Sequence, residues 1–471
     1  MNEKLALKEK IGYGFGDFAS SIFWKIFSVY LLFYYTDVFG ISAAVVGTMF
    51  LITRIWDTAF DPIIGIIADR TSTKWGKFRP FLLWVAFPFG LVGVLTFATP
   101  DLSPTGKIIY AYITYTLMMM VYSAINVPYA SLMGVMTSNI KERTTLSTFR
   151  FIFAFAGSIL VLATAEPLVS WFGATAVSTD LQKGWLYTMI VYALIAAILF
   201  YFTFAWTRER VSPSKQQKVS LKEDLKNLAA NKPWFILLGA GVSTLVFNAL
   251  RDGSAIYYFK YYFQNQEAFQ LPLLQVAINY STLYLVLGQA ANIVGVVLAK
   301  PVSDKIGKKN TFFYAMLLAT ILSCIFYLFQ ERDLFLIFSF QFLISICAGS
   351  IFPLLWSMYA DIADYSEWKT GRRATGLIFS SSSMSQKLGW TLGGALTGWM
   401  LALYGFEANM VQTVDTKTGI RMMLSFIPAT GALLSALFIL FYKLSDALML
   451  TITEELSIRR IKEQEAQNPI N

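Results

Sequence analysis

The sequence predicts an all-α membrane protein in which about twelve transmembrane helices form two pseudo-symmetric six-helix bundles. Three observations predict it. Of the 471 residues, 56% are hydrophobic and only 14% are charged, where a water-soluble domain carries about a quarter charged residues. Apolar runs long enough to cross about 30 Å of hydrocarbon recur along the whole chain. Lys and Arg crowd into every second connecting segment, as they do in a chain threaded back and forth through a bilayer.

The first six runs cover roughly 11–38, 42–69, 80–99, 108–136, 147–171 and 185–206. Six more cover roughly 235–262, 276–302, 311–330, 334–360, 375–404 and 422–445. The connections read as cytoplasmic hold Arg70, Lys74, Lys77 and Arg79, then Lys141 and Arg143, then Lys305, Lys308 and Lys309, then Lys369, Arg372 and Arg373. The alternate ones hold Lys107, Lys183, Arg332, Lys417 and Arg421, so both termini are expected in the cytoplasm. Residues 1–10 are short and charged and the run after them is too long for a signal core, so no cleavable signal is expected.

These runs define an N-terminal bundle at 1–206, a cytoplasmic linker at 207–233, a C-terminal bundle at 234–446 and a polar cytoplasmic tail at 447–471. In the linker, Ser220-Leu-Lys-Glu223 reads as a capping box, and Leu221, Leu225 and Leu228 follow at helical spacing. A short amphipathic helix is expected there. The halves echo each other: Gly65-Ile-Ile-Ala-Asp69-Arg70 closes the second run, Lys300-Pro-Val-Ser-Asp304-Lys305 the eighth. Asn126-Val-Pro128 is likewise answered by Phe352-Pro353. Repeated halves are the usual build of a secondary transporter.

Composition also excludes. The chain has no histidine, which rules out His-ligated metals, Ser-His-Asp triads and imidazole relays. Any proton carried must ride on a carboxylate. Cys324 and Cys347 lie in apolar runs and make no metal or disulfide pattern. The net charge of +9 is accounted for by topology and needs no nucleic-acid partner. No cofactor is expected.

The chain is organised around Arg54-Ile-Trp-Asp57-Thr-Ala-Phe-Asp61-Pro62, inside an apolar run. Asp57 and Asp61 stack one helical turn apart, and Arg54 reaches the same face. Charge in the bilayer core costs a few kcal/mol or more, and two carboxylates there also repel. A shared cation or proton would make the pair tolerable; so would a structural salt bridge to Arg54. Tyr34 and Tyr35 lie near a span end and are expected in an interfacial aromatic belt.

Several motifs together resemble the glycoside–pentoside–hexuronide:cation symporters of the major facilitator superfamily, among them the melibiose permease. They are Tyr13-Gly14-Phe-Gly16-Asp17-Phe18, Tyr34-Tyr35-Thr36-Asp37-Val-Phe-Gly40, Asp57-Thr-Ala-Phe-Asp61-Pro62-Ile-Ile-Gly65 and Trp75-Gly76-Lys77-Phe78-Arg79-Pro80. Tyr257-Tyr258-Phe259-Lys260 and Ala360-Asp361-Ile-Ala-Asp364-Tyr365-Ser-Glu367-Trp368 extend the resemblance over nearly the whole chain. It implies a major facilitator fold in a bacterial inner membrane, a monomer, and alternating-access symport of a glycoside, pentoside or hexuronide with H+ or Na+. It places a cation, Na+ among the candidates, at Asp57 and Asp61, with Ser123 lining the site and Lys387 facing the carboxylates. It makes Asp17 and Arg150 sugar-binding charges and puts neutral Asn126 where the melibiose permease has an acid. Phe60 and Ala130 depart from the melibiose permease pattern; the first makes a proton the more natural passenger, and the second argues against galactosides.

The resemblance leaves choices open. Asp17 with Arg150 suits vicinal sugar hydroxyls or a plain ion pair. Lys25 is expected to snorkel outward. Arg251 suits a hexuronide carboxylate or a pair with Asp252. Gln386 and Lys387 end a polar strip suited to a cavity, while Gly389, Gly393, Gly394 and Gly398 suit helix packing. Tyr122 and Trp390 suit stacking on a sugar face. Asp361, Asp364 and Glu367 with Arg143, Arg372 and Arg373 are expected as an inner gate of ion pairs. A lysolipid carrier of the same fold, or a membrane sugar sensor, is the alternative to a sugar symporter; an enzyme is not expected.

Overall fold

The computed structural model describes residues 5–137, 140–175, 180–210, 231–264, 267–271, 276–370 and 375–467. The expected linker helix at 220–228 and the gate residues Arg372 and Arg373 lie outside them.

The described chain is helical nearly throughout. It runs α1 (Leu7–Val29), α2 (Leu31–Phe33), π1 (Tyr34–Val38), α3 (Ala43–Arg70), α4 (Arg79–Trp84), α5 (Ala86–Thr96), α6 (Pro104–Met136), α7 (Ile140–Gly173) and α8 (Leu181–Trp206). There follow α9 (Lys232–Tyr257), π2 (Tyr258–Phe263), α10 (Tyr280–Ile306), α11 (Lys308–Phe326), α12 (Leu334–Thr370), α13 (Thr375–Leu403), α14 (Val414–Leu424), α15 (Phe426–Leu440) and α16 (Asp446–Gln467). Each expected apolar run is a helix or a succession of helical segments, except that the eighth opens with a short strand. Among the described residues, nine helices are long and apolar enough to cross a membrane, or ten if α1 and its continuation, bent by 50°, count as one. The long helices outside that set include α3, apolar only over Ala43–Arg54, and α13. These carry the charged residues of the expected cation site, Asp57, Asp61 and Lys387.

Local chemistry sets the boundaries. Ser103 caps α6 by accepting from the Gly106 N–H, with Pro104 opening the helix. Asp180 caps α8, and the Lys183 backbone N–H holds its carboxyl below the ordinary value. The turn before α4 is organised by Glu209. Its carboxylate accepts from the backbone N–H groups of Lys77 (2.9 Å), Phe78 (2.8 Å) and Arg79 (2.9 Å) at the positive end of the helix. Gly76, at φ +111°, leaves room for it.

The structure departs from an all-helical reading at one place. Glu267–Leu271 (β1) and Val276–Asn279 (β2) pair antiparallel, with Phe269 opposite Ile278. Val276 to Asn279 had been absorbed into the eighth apolar run, where a short apolar stretch does not separate strand from helix. The half-buried Glu166 carboxylate on α7 holds the end of the hairpin, accepting from Asn279 Nδ2 (2.6 Å) and Ser281 Oγ (2.8 Å).

The chain forms two compact units, divided within 207–233 and at four further places. The first comprises Met1–Gln216, Asp252–Gln289 and Gly394–Arg421; the second comprises Gln217–Arg251, Ala290–Gly393 and Met422–Asn471. In the first, α1 packs on α7 and α8, and Phe97, Trp185, Tyr30 and Tyr34 form an aromatic core. Tyr34 and Tyr35 are fully buried, which corrects the aromatic-belt expectation: π1 turns both rings inward. Gly47 and Gly398 let α3 and α13 approach backbone to backbone, so that a Cβ on Gly398 would lie 2.5 Å from the Ala43 carbonyl oxygen. In the second unit, α16 is a docked helix. Trp368 Nε1 donates to Glu455 (2.6 Å), and Met449, Ile452 and Leu456 are buried.

Candidate functional site

Helical spacing builds the site in the first unit. On α1, Asp17, Ser20 and Trp24 follow at three and four residues and share a face; on α6, Tyr122, Ser123, Asn126 and Tyr129 do the same. The α3 residues Arg54, Asp57 and Asp61 form a third row, and Arg150 enters from α7.

Asp57 is buried, 1% exposed, and charged groups are seldom so placed without partners. Ser123 Oγ donates to its Oδ1 at 2.7 Å, and Arg54 Nη1 reaches its Oδ2 at 3.3 Å. The salt-bridge alternative thus holds for Asp57, across a long contact. The Arg54 guanidinium also lies over the Trp24 ring, 4.9 Å from its centre. Asp61 and Phe60 are half-buried one turn along. Among the described residues, no cluster of three or more acidic or thiol side chains would hold a metal ion. A Na+ site here would draw on two carboxylates and the Ser123 hydroxyl.

Asp17 and Arg150 form the second pair. Arg150 Nε donates to Asp17 Oδ2 at 2.6 Å, and its guanidinium rests over Tyr129, itself stacked on Tyr13 at 4.8 Å. Close by, Ser20 Oγ donates to Asn126 Oδ1 at 2.7 Å, and Asn126 Nδ2 donates to the Tyr122 carbonyl at 3.0 Å. The Trp24 and Tyr122 rings lie 5.8 Å apart. The structure therefore brings Asp57, Ser123, Asp17, Arg150, Asn126 and Tyr122 onto neighbouring helices, with Arg54 and Trp24 linking the two pairs. Ser20, Trp24 and Tyr129 were not singled out from sequence, although their spacing from Asp17 and Asn126 was the available signal.

Two expectations are corrected. Lys25 does not snorkel: it is buried and its Nζ pairs with Asp252 Oδ2 at 2.8 Å. That contact gives Asp252 a partner other than Arg251. Arg251 is 4% exposed, donates to the Leu424 carbonyl (2.6 Å) and to Gln341 Oε1 (2.7 Å), and lies against Phe326. Its fork is occupied within the second unit, which leaves little of it for a hexuronide.

The remaining residues belong to the second unit, apart from Arg143 in the first. Gln386, Lys387 and Trp390 are half-buried on α13. Gly389 and Gly393 face Leu245 and Ala249 of α9, so the small residues serve packing. At the expected inner gate, Asp361 is bonded by Lys308 of the same unit. Asp364 and Glu367 are half-buried, and the side chain of Arg143 lies outside the described residues. Glu142 pairs with Lys10 at 2.9 Å.

The family of sugar transporters described as MFS/sugar transport protein matches residues 12–446. The chain belongs to that family. The inner membrane symporter YicJ of Escherichia coli K12 is 37% identical over 458 residues, 97% of this chain and 96% of that protein. An isoprimeverose transporter of Lactiplantibacillus pentosus is also 37% identical, over 92% of this chain and 88% of its own. Among solved structures, the nucleoside transporter NupG superposes with a TM-score of 0.65 over 92% of this chain and all of NupG, at 15% identity, which speaks to the fold alone. The chain is thus a multi-pass membrane transporter with the major facilitator fold, not an enzyme.

Proposed function

We propose that this protein is a cation-coupled sugar symporter, taking up a glycoside, pentoside or glucuronide together with a proton. The observation that carries the reading is the joined site on α1, α3, α6 and α7. Asp57, held by Ser123 and loosely by Arg54, is a seat for positive charge. Asp17, Arg150, Asn126 and Ser20 offer a carboxylate, a guanidinium, an amide and a hydroxyl, the donor and acceptor mixture that a sugar's vicinal hydroxyls require. The names of the relatives, a symporter and an isoprimeverose transporter, point the same way.

The coupling follows from counter-ion exchange. Arg54 is the resident partner of Asp57 and also stacks on Trp24. A proton or cation taken up at Asp57 and Asp61 weakens the hold on Arg54 and so alters the Trp24 and Tyr122 faces beside the sugar residues. Each ligand then favours the conformation that the other needs. Lys387 joins the cycle on the strength of the resemblance, and the bundles 1–206 and 234–446 are the bodies that rock. Both termini lie in the cytoplasm, as the Lys and Arg pattern indicates.

A counterflow panel of labelled glycosides, pentosides and glucuronides in proteoliposomes tests the reading, with Na+ present or absent at two pH values. Uptake of at least one sugar, stimulated by an inward proton gradient and lost in Asp57→Asn, is expected. Sodium dependence at constant pH would overturn the proton assignment. Absence of flux for the whole panel would overturn sugar transport and favour an amphiphile carrier.

A further inference from the structure

The first helix of each half ends in the same pattern. Tyr34-Tyr35-Thr36-Asp37 closes one and Tyr257-Tyr258-Phe259-Lys260 the other. Both leave the α-helical path in a π-helical turn, π1 and π2, a distortion that often marks functional positions. The fourth residue of the pattern bears opposite charge in the two copies, Asp37 against Lys260. The structure joins these two residues: Lys260 Nζ lies 2.6 Å from Asp37 Oδ1, and the Asp37 side chain is fully buried.

Other groups close around the pair, all within the first unit. Asp37 also accepts from Thr36 Oγ1 (2.6 Å) and from the Tyr261 hydroxyl. Lys260 reaches Asn409 Oδ1 at 2.9 Å and lies over the Phe33 ring. Asn409, held in the left-handed region at φ +60°, donates its side-chain amide to the Asp37 carbonyl (2.7 Å) and its backbone N–H to Tyr261 Oη (2.9 Å). Further along the α1–α9 seam come Thr36 with Tyr257 (2.9 Å) and the Lys25–Asp252 pair.

We propose that Asp37 and Lys260 are a charge latch which holds the outer ends of the two first helices together and which transport must break each time that end opens. The proposal rests on the transporter reading above. An exposed ion pair contributes little, but here the Asp37 side chain is fully buried and Lys260 is only 20% exposed. Separating it leaves an uncompensated charge unless the whole seam hydrates at once. The latch therefore resists partial opening, and its strength sets the balance between conformations that the bound ligands must shift.

Cysteine accessibility tests it independently of flux. Ser28 lies on α1 between the two ion pairs, its hydroxyl bonded to the Lys25 carbonyl, so Ser28→Cys is a near-isosteric reporter once Cys324→Ser and Cys347→Ser remove the native thiols. Intact cells are labelled from outside with a membrane-impermeant maleimide. Asp37→Asn and Lys260→Gln should each raise the labelling rate by about tenfold, and Asp37→Lys with Lys260→Asp should bring it back toward the parent. Parental rates in both single variants would overturn the latch, as would a charge swap that labels as fast as they do. If Asp37→Asn fails to fold, Lys260→Gln and Asn409→Ala read the latch from its other members. Failure of the sugar panel would remove the transport reading while leaving this measurement intact.

Discussion

Ser123 Oγ donates to Asp57 Oδ1 across 2.7 Å, which ties the middle of α6 to the middle of α3 at a carboxylate 1% exposed. A hydrogen bond to a charged acceptor contributes about 1.5–3 kcal/mol. Ser123→Ala should therefore shift the half-saturating proton concentration by roughly tenfold to a hundredfold, toward tighter binding because the lost bond favours the charged carboxylate, with normal expression. The dependence of uptake on proton concentration checks it. An unchanged half-saturating concentration would take Ser123 out of the cation site.

Arg150 presents Nε to Asp17 and its face to Tyr129. Lysine keeps the charge but has neither the fork nor the plane. Arg150→Lys should raise the half-saturating sugar concentration by about tenfold or more while sparing the cation dependence. Equal losses in both would mean that the Asp17–Arg150 pair is structural.

Arg251 tests the opposite expectation. Bonded to Leu424 and Gln341 against Phe326, it should matter for stability and not for selectivity. Arg251→Met should lose about 1–3 kcal/mol of stability, read as a lower melting temperature in detergent. The ratio of glucuronide to neutral glycoside uptake should not change. A selective loss of glucuronide flux would return Arg251 to the substrate site.

These residues show what the sequence made legible. The helices and their order could be read because hydrocarbon thickness fixes span length. Asp57 and Asp61 stood out because charge in an apolar run is costly. Asp17 and Arg150 came from the resemblance, and their contact, across 133 positions of sequence, had no local signal. Lys25 was misplaced for the same reason, its partner Asp252 being on a distant segment, and the partner of Arg251, Gln341, is equally remote. The hairpin was hidden because Val276 to Asn279 is apolar without a period long enough to separate strand from helix.

The Trp75-Gly76-Lys77-Phe78-Arg79-Pro80 turn supplies a final prediction. Sequence marked the motif but not the acid that completes it, Glu209, which lies 132 residues beyond Lys77. Gly76 takes φ +111°, and a Cβ there would land on the Glu209 carboxylate. Gly76→Ala therefore suffers twice, from backbone strain and from collision. Glu209→Ala removes the collision and leaves the strain, at the cost of three charge-assisted bonds to the start of α4. Measured as melting temperatures, the two single losses should exceed the loss in the double variant when summed, with a coupling of about 0.5–3 kcal/mol. Strict additivity would show that Gly76 is needed for its conformation alone and that the carboxylate does not occupy the space it vacates.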